Sequence, residues 1–173
     1  MFDLRYYGDP ILRKTAKSVE KFDSELEQFV QEMIETMREE DGVGLAAPQV
    51  GESIRLAVID ASGGEREPYV LINPEIVYFS EDKEDYDEGC LSIPGINLIV
   101  NRPSRVTVKA QNQKGEQYTI ENAEGLLARA LQHEIDHLNG ILFIDHVSPL
   151  QRSLLNSKLK KISKTQREKE QSD

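Results

Sequence analysis

The chain has 173 residues, 38% hydrophobic and 30% charged, which fits a single globular domain with a sizeable core. No apolar run approaches the roughly 18 residues that a transmembrane helix needs, so no transmembrane helix is expected. Neither a membrane nor DNA is expected as a partner. The net charge of −10 is uneven: residues 151–173 carry seven Lys/Arg against three acids, net +4, leaving −14 on the remainder. A single cysteine, Cys90, excludes an internal disulfide framework and fits a reducing cytosol.

The opening MFDLRYYGDPILRK lacks the charged, apolar and small-residue regions of a secretory signal, and Asp9-Pro10 reads as the start of a short helical turn. Leu26, Phe29, Val30, Met33, Ile34 and Met37 form one apolar stripe at helical spacing, with Asp23 or Ser24 as cap and Asp41-Gly42 as stop. The segment GVGLAAPQVG at 42–51 is unlike a regular strand, and its glycines point to unusual dihedrals or a close backbone approach. Gln49 is a polar residue among small apolar ones and needs a partner or a task.

Ile54–Asp60, Tyr69–Asn73 and Glu75–Phe79 read as strands, the last two split at Asn73-Pro74. The six acids of 81–88 read as a solvated loop, followed by strands at 96–100, 105–111 and 117–121. A helix is expected from about Ala123 to Leu138, stopped by Asn139-Gly140. Ser148-Pro149-Leu150-Gln151 has capping-box form, and Leu150, Leu154, Leu155, Leu159 and Ile162 give a further stripe of about four turns. Beyond Ser163 the polar tail is expected to fray. This order of elements predicts an α+β domain with antiparallel sheets around a central buried helix, closed by a C-terminal helix.

Inside the central helix lies HEIDH at 133–137. Two histidines four residues apart lie on one helical face and can bind one metal ion, with Glu134 beside them to handle a proton. The same pattern also fits a buried helix with two satisfied histidines. Catalytic metal sites of this kind take a third protein ligand, and spacing alone does not choose between His146 and Cys90.

Three motifs, GVGLAAPQ at 42–49, EGCLS at 88–92 and HEIDH at 133–137, occur in this order, and with them the chain resembles the peptide deformylase family from about Pro10 to Leu150. The resemblance implies a catalytic body at 1–147, with the basic amphipathic helix and tail at 148–173 belonging to the same domain. It implies Cys90, His133 and His137 as metal ligands with water in fourth place, Glu134 as general acid/base, and Gln49 with the Leu91 N–H as donors to the substrate carbonyl. His146 matches no family ligand. Also implied are formyl-methionyl nascent polypeptides as substrates, Fe²⁺ as the metal with Zn²⁺, Ni²⁺ or Co²⁺ as substitutes, a cytoplasmic location, and ribosome docking through the basic helix.

Hydrolysis of a formyl amide passes through an oxyanion, which suits a metal-activated water and paired N–H donors. The small residues of Gly42–Leu45, Gly44 and Leu45 among them, are expected to let an extended peptide add alongside through backbone bonds. The resemblance implies Val43, Tyr86, Leu126 and Ala130, beside His133, as the lining of the methionine pocket. Glu88 and Asp136 are the local carboxylates available to orient the histidines, and Arg102 is placed to neutralise one of them. Asn97 stands where the family often has Arg, which predicts a weaker hold on the distal substrate. Two rivals compete with this reading: a zinc peptidase built on HExxH alone, which leaves Cys90 and Gln49 unexplained, and a non-catalytic binding domain, against which the presence of Glu134 and all three ligands argues.

Overall fold

The computed structural model describes residues 1–172. Helix α1 (Ser24–Glu39) starts where the Asp23 carboxylate accepts from the Leu26 N–H. Strands β1 (Gly44–Ala46), β2 (Leu56–Ile59), β3 (Tyr69–Phe79), β6 (Arg105–Gln111) and β7 (Gln117–Glu124) form one antiparallel sheet in the order β1-β2-β3-β6-β7. Strands β4 (Lys83–Cys90) and β5 (Ile93–Pro103) form a separate two-stranded hairpin. Helices α2 (Gly125–Leu138), α3 (Pro149–Leu154) and α4 (Asn156–Ser172) complete the α+β fold. Among the described residues no helix is long and apolar enough to cross a membrane.

Strand alternation explains the layers. Leu56 and Val58 of β2 pack with Val30, Met33 and Met37 of α1, while Ala57 and Ile59 pack on the other face with Leu131, Ile135 and Leu138 of α2. The strand is therefore buried on both faces, and α2 is held against the sheet by its apolar stripe. A third cluster, with Leu12, Ile93, Val100, Phe143 and Leu159, joins the hairpin to α4.

Several sequence expectations change. The acidic run is strand β4, not a loop, because residues 83–88 pair in register with 98–103. Lys83, Glu84 and Asp85 stay exposed on it while Glu88 turns inward. Asn73-Pro74 is a bulge within the single strand β3, where Asn73 at φ +50° bonds both the N–H and the carbonyl of Val19. Gly44–Ala46 is a strand at the sheet edge, despite its glycine.

The C-terminal helix does not fray after Ser163 but runs to Ser172. Leu150 and Leu154 stand 71% and 74% exposed, so of the predicted stripe Leu159 is buried and only Leu155 and Ile162 pack beside it. Gln166, buried in the polar stretch, docks the helix on the N-terminal segment. Its Oε1 accepts from the Tyr6 N–H at 2.8 Å, and its Nε2 donates to Asp9 and Glu170. Lys169 Nζ adds a bond to the Leu4 carbonyl and lies over the Tyr6 ring.

Successive N–H groups of an extended chain point to opposite sides, so Arg5 and Tyr7 face away from α4. They donate to the carbonyls of Gln49 at 2.7 Å and Ser92 at 2.8 Å. Residues 5–7 are thus stitched to α4 on one side and to two loops on the other. Gln166→Leu should leave the Tyr6 N–H without an acceptor and lower stability by about 1–3 kcal/mol in urea denaturation.

Candidate functional site

Helix α2 turns His133, Glu134 and His137 away from the apolar stripe, toward the hairpin that carries Cys90. The Cys90 Sγ and one nitrogen from each of His133 and His137 lie within 4.8 Å of one another, with Sγ 3.4 Å from His137 Nε2. His146 is not in this group. It lies 2.8 Å from the Asp136 carboxylate, beside Arg102.

The electrostatics suit a cation. Burial, then the neighbouring His133, pushes His137 well below its ordinary pKa, so its imidazole is neutral and able to ligate. At His133, burial is outweighed by Cys90, Glu134 and Glu88, which raise its pKa well above the ordinary value. Those groups place negative potential where a divalent ion would sit. Two buried polar atoms here, Glu134 Oε1 and His137 Nδ1, have no hydrogen-bond partner among the described residues. A thiol, two imidazoles and a buried, unpartnered carboxylate oxygen together fit a catalytic metal with water.

Behind the ligands, Glu88 acts as a hub. Its Oε1 lies 3.0 Å from His133 Nδ1, and Arg102 grips both carboxylate oxygens through Nε at 2.6 Å and Nη2 at 3.0 Å. Burial alone would raise this carboxyl, but His133 and Arg102 hold it down at about 2. Arg102 Nη1 also donates to Asp136 at 2.8 Å. Glu88, Arg102 and Asp136 therefore form one network. Only Glu88 of the two carboxylates reaches a ligand histidine.

Gln49 finds the partner its burial demands. Its Oε1 accepts from the Ala46 N–H at 2.9 Å, and its Nε2 donates to Ser92 Oγ at 3.0 Å with Cys90 Sγ 3.6 Å away. The amide is thus oriented with its N–H₂ toward the cysteine. Ser92 escapes sequence reasoning although it ends the EGCLS motif, since nothing local says its hydroxyl is turned to a residue 43 positions away.

An open cavity of about 480 Å³ lies in front of these groups. Val43, Gly44, Gln49, Tyr86, Leu91, Leu126, Ala130, His133 and Glu134 line it, with Asn97 at its rim. Leu45 does not: strand alternation sends its side chain into the α1 core, where it is fully buried. Arg129, which the sequence reading passed over, is in the wall. Its place one helical turn before His133 was the available signal.

The two glycines before Leu45 serve close approach, not unusual dihedrals, since neither has positive φ. A Cβ on Gly44 would lie 2.6 Å from Glu134 Oε2, and one on Gly42 would lie 2.8 Å from Leu91 Cδ1. Burial raises Glu134 to about 7, a value that suits a group accepting and returning a proton near neutrality.

A helix-borne histidine pair, a thiol from a facing strand and a buried carboxylate at the same cavity are the build of a metal-dependent hydrolase. The comparisons narrow the class. The polypeptide deformylase family matches residues 1–153. A peptide deformylase of Thermotoga petrophila is 52% identical over 165 residues, covering 95% of this chain and 98% of that protein. The crystal structure of a peptide deformylase from Legionella pneumophila superposes with TM-score 0.89 at 48% identity, covering 96% and 97% of the two chains. One from Synechococcus elongatus, solved in complex with actinonin, gives TM-score 0.86 at 48% identity, covering 92% and 86%. The chain belongs to the polypeptide deformylase family, and is a hydrolase of that kind.

Gly44→Ala should displace the Glu134 carboxylate. Steady-state kinetics on a formylated peptide should then show turnover lower by about 10²-fold with the fold retained in circular dichroism.

Proposed function

We propose that this chain removes the formyl group from N-terminal formyl-methionine of nascent polypeptides and releases formate. The observation that carries the reading is the convergence of Cys90, His133, His137, Glu134 and Gln49 on one cavity. Cys90 Sγ and the two imidazoles would hold the ion, which when bound supplies a Lewis acid and lowers the pKa of a coordinated water toward about 7.

The remaining chemistry belongs to the chain. Glu134 takes a proton from the attacking water and passes it to the departing amine. Gln49 Nε2–H and the Leu91 N–H donate to the formyl oxygen as it gains charge, each such donor being worth about 10²–10³ in rate. Strand β1 lies at the sheet edge, so an extended peptide can add beside Gly44 through backbone bonds that read little sequence. Val43, Tyr86, Leu126 and Ala130 offer the wall for a methionine side chain. Neutral Asn97 at the rim gives the distal substrate no charge to pair with.

Formate release from a formyl-Met peptide tests the proposal: the purified protein should turn over, and Glu134→Gln should lose at least about 10²-fold. Release of formate at the wild-type rate by Glu134→Gln would overturn the role given to that carboxylate. Cleavage of unformylated peptides instead would point to a peptidase.

Fe²⁺ is the proposed metal in the cell, with Zn²⁺, Ni²⁺ or Co²⁺ able to take its place. A thiolate beside ferrous iron oxidises readily, so the reducing cytoplasm is the proposed location. Protein purified without oxygen should lose activity on exposure to air and peroxide, whereas indifference to both would favour zinc.

Ribosomal RNA is the proposed docking partner of the exposed basic residues Lys158, Lys160, Lys164 and Arg167 on α4. Because Gln166 and Lys169 of the same helix fasten the N-terminal segment, charge reversal tests this better than deletion. Reversing the four charges should weaken ribosome binding and flatten its salt dependence while small-peptide turnover persists. Unchanged binding would exclude the surface.

A further inference from the structure

The metal ligands come from two bodies with no shared hydrogen-bonded sheet. Cys90 is on the β4–β5 hairpin, while His133 and His137 are on α2, which packs on the other sheet. An isolated two-stranded hairpin is marginally stable, so its position against α2 must be fixed by side chains. Arg129 makes more of these connections than its place in the cavity wall requires. From α2, its Nη1 donates to Glu88 Oε2 at 2.9 Å on β4 and to the Val100 carbonyl at 2.9 Å on β5. Its Nη2 donates to the Glu84 carbonyl at 2.9 Å, again on β4. The guanidinium carbon also lies 5.2 Å from the centre of the Tyr86 ring, which is in the same cavity wall.

We propose that Arg129 is a positioning residue that locks the Cys90 hairpin to the histidine helix and, through Tyr86, sets the shape of the side-chain pocket. The proposal rests on the deformylase reading for its pocket half and on geometry alone for its metal half. A planar fork with five donors can satisfy acceptors on β4 and β5 together, whereas a lysine ammonium is a point charge on a flexible stem. Charge is not the whole requirement, because Arg102 already grips both oxygens of Glu88. What Arg129 alone adds is the tie to the two backbone carbonyls and the brace on Tyr86.

The test compares Arg129→Met, Arg129→Lys and Tyr86→Leu with the wild-type chain in two measurements. The first is Zn²⁺ affinity by competition with a chromophoric chelator, which needs no turnover. Arg129→Met and Arg129→Lys should both bind Zn²⁺ about 10–100-fold more weakly, the usual effect of losing a group that orients a ligand. Tyr86→Leu should bind it as the wild type does. The second is the ratio of kcat/KM for a formyl-Met peptide to that for its formyl-Phe counterpart. All three variants should narrow this ratio by about tenfold, through KM more than kcat. Wild-type zinc affinity in Arg129→Met would overturn the lock, and full rescue by lysine would reduce Arg129 to a charge. An unchanged ratio in Tyr86→Leu and Arg129→Met would overturn the pocket role. Should Arg129→Met fail to fold, the lysine variant carries both measurements. If the wild-type protein releases no formate from any formyl-Met peptide, the functional reading fails while the zinc competition still decides the lock.

Discussion

One buried carboxylate ties the two halves of the site together. Glu88 leaves the hairpin, meets His133 on α2, and is held by Arg102 from β5 and Arg129 from α2. A buried ion of one sign costs several kcal/mol unless it is paired and hydrogen-bonded. Here two guanidinium groups are matched by Glu88 and the partly buried Asp136, and the carboxylate oxygens are fully engaged. The arrangement stabilises the charged form of Glu88 and fixes which nitrogen of His133 faces the cavity. The candidate metal site and the joint between hairpin and helix therefore share the contacts of Glu88.

Around this joint the chain uses very small side chains to bring large ones close. The strand at Gly44 passes so near Glu134 that a single methyl group would collide with the carboxylate. Gln49, on the turn after that strand, is held at both ends of its amide by Ala46 and Ser92. The rigid side of the site is the sheet-backed helix α2, and the other side is built from a loop and a hairpin pinned onto it. Preorganised donors and acceptors of this sort act without rearranging during reaction, which is where most of their effect on rate arises.

Much of this was legible in the residues. The stripe of α1, the HEIDH face and the glycine stop after Leu138 follow from helical periodicity and capping. Local patterns say little about pairing between distant segments, and the misreadings lie there. The run at 81–88 looks like a loop because acids disfavour strands, yet its register with β5 overrides that preference. Alternation also faces the Leu45 side chain to the core, which leaves its backbone as the part open to an extended peptide. Arg129 looks like an ordinary charged helix residue until its acceptors, 29 to 45 positions away, are brought beside it. The tail past Ser163 is polar by composition, and its bonds to residues 4–9 dock the helix where sequence gives no sign of a partner.

The stitch between Tyr6 and Gln166 spans 160 positions of the chain. During synthesis residues 5–7 emerge long before the helix that fastens their outer side exists. Until then the extended segment that borders Gln49 and Ser92 is held on its inner side alone. Contacts of such sequence separation close late, since a long loop must be ordered first. The surroundings of the loops that carry Gln49 and Ser92 are thus completed only as the last helix arrives.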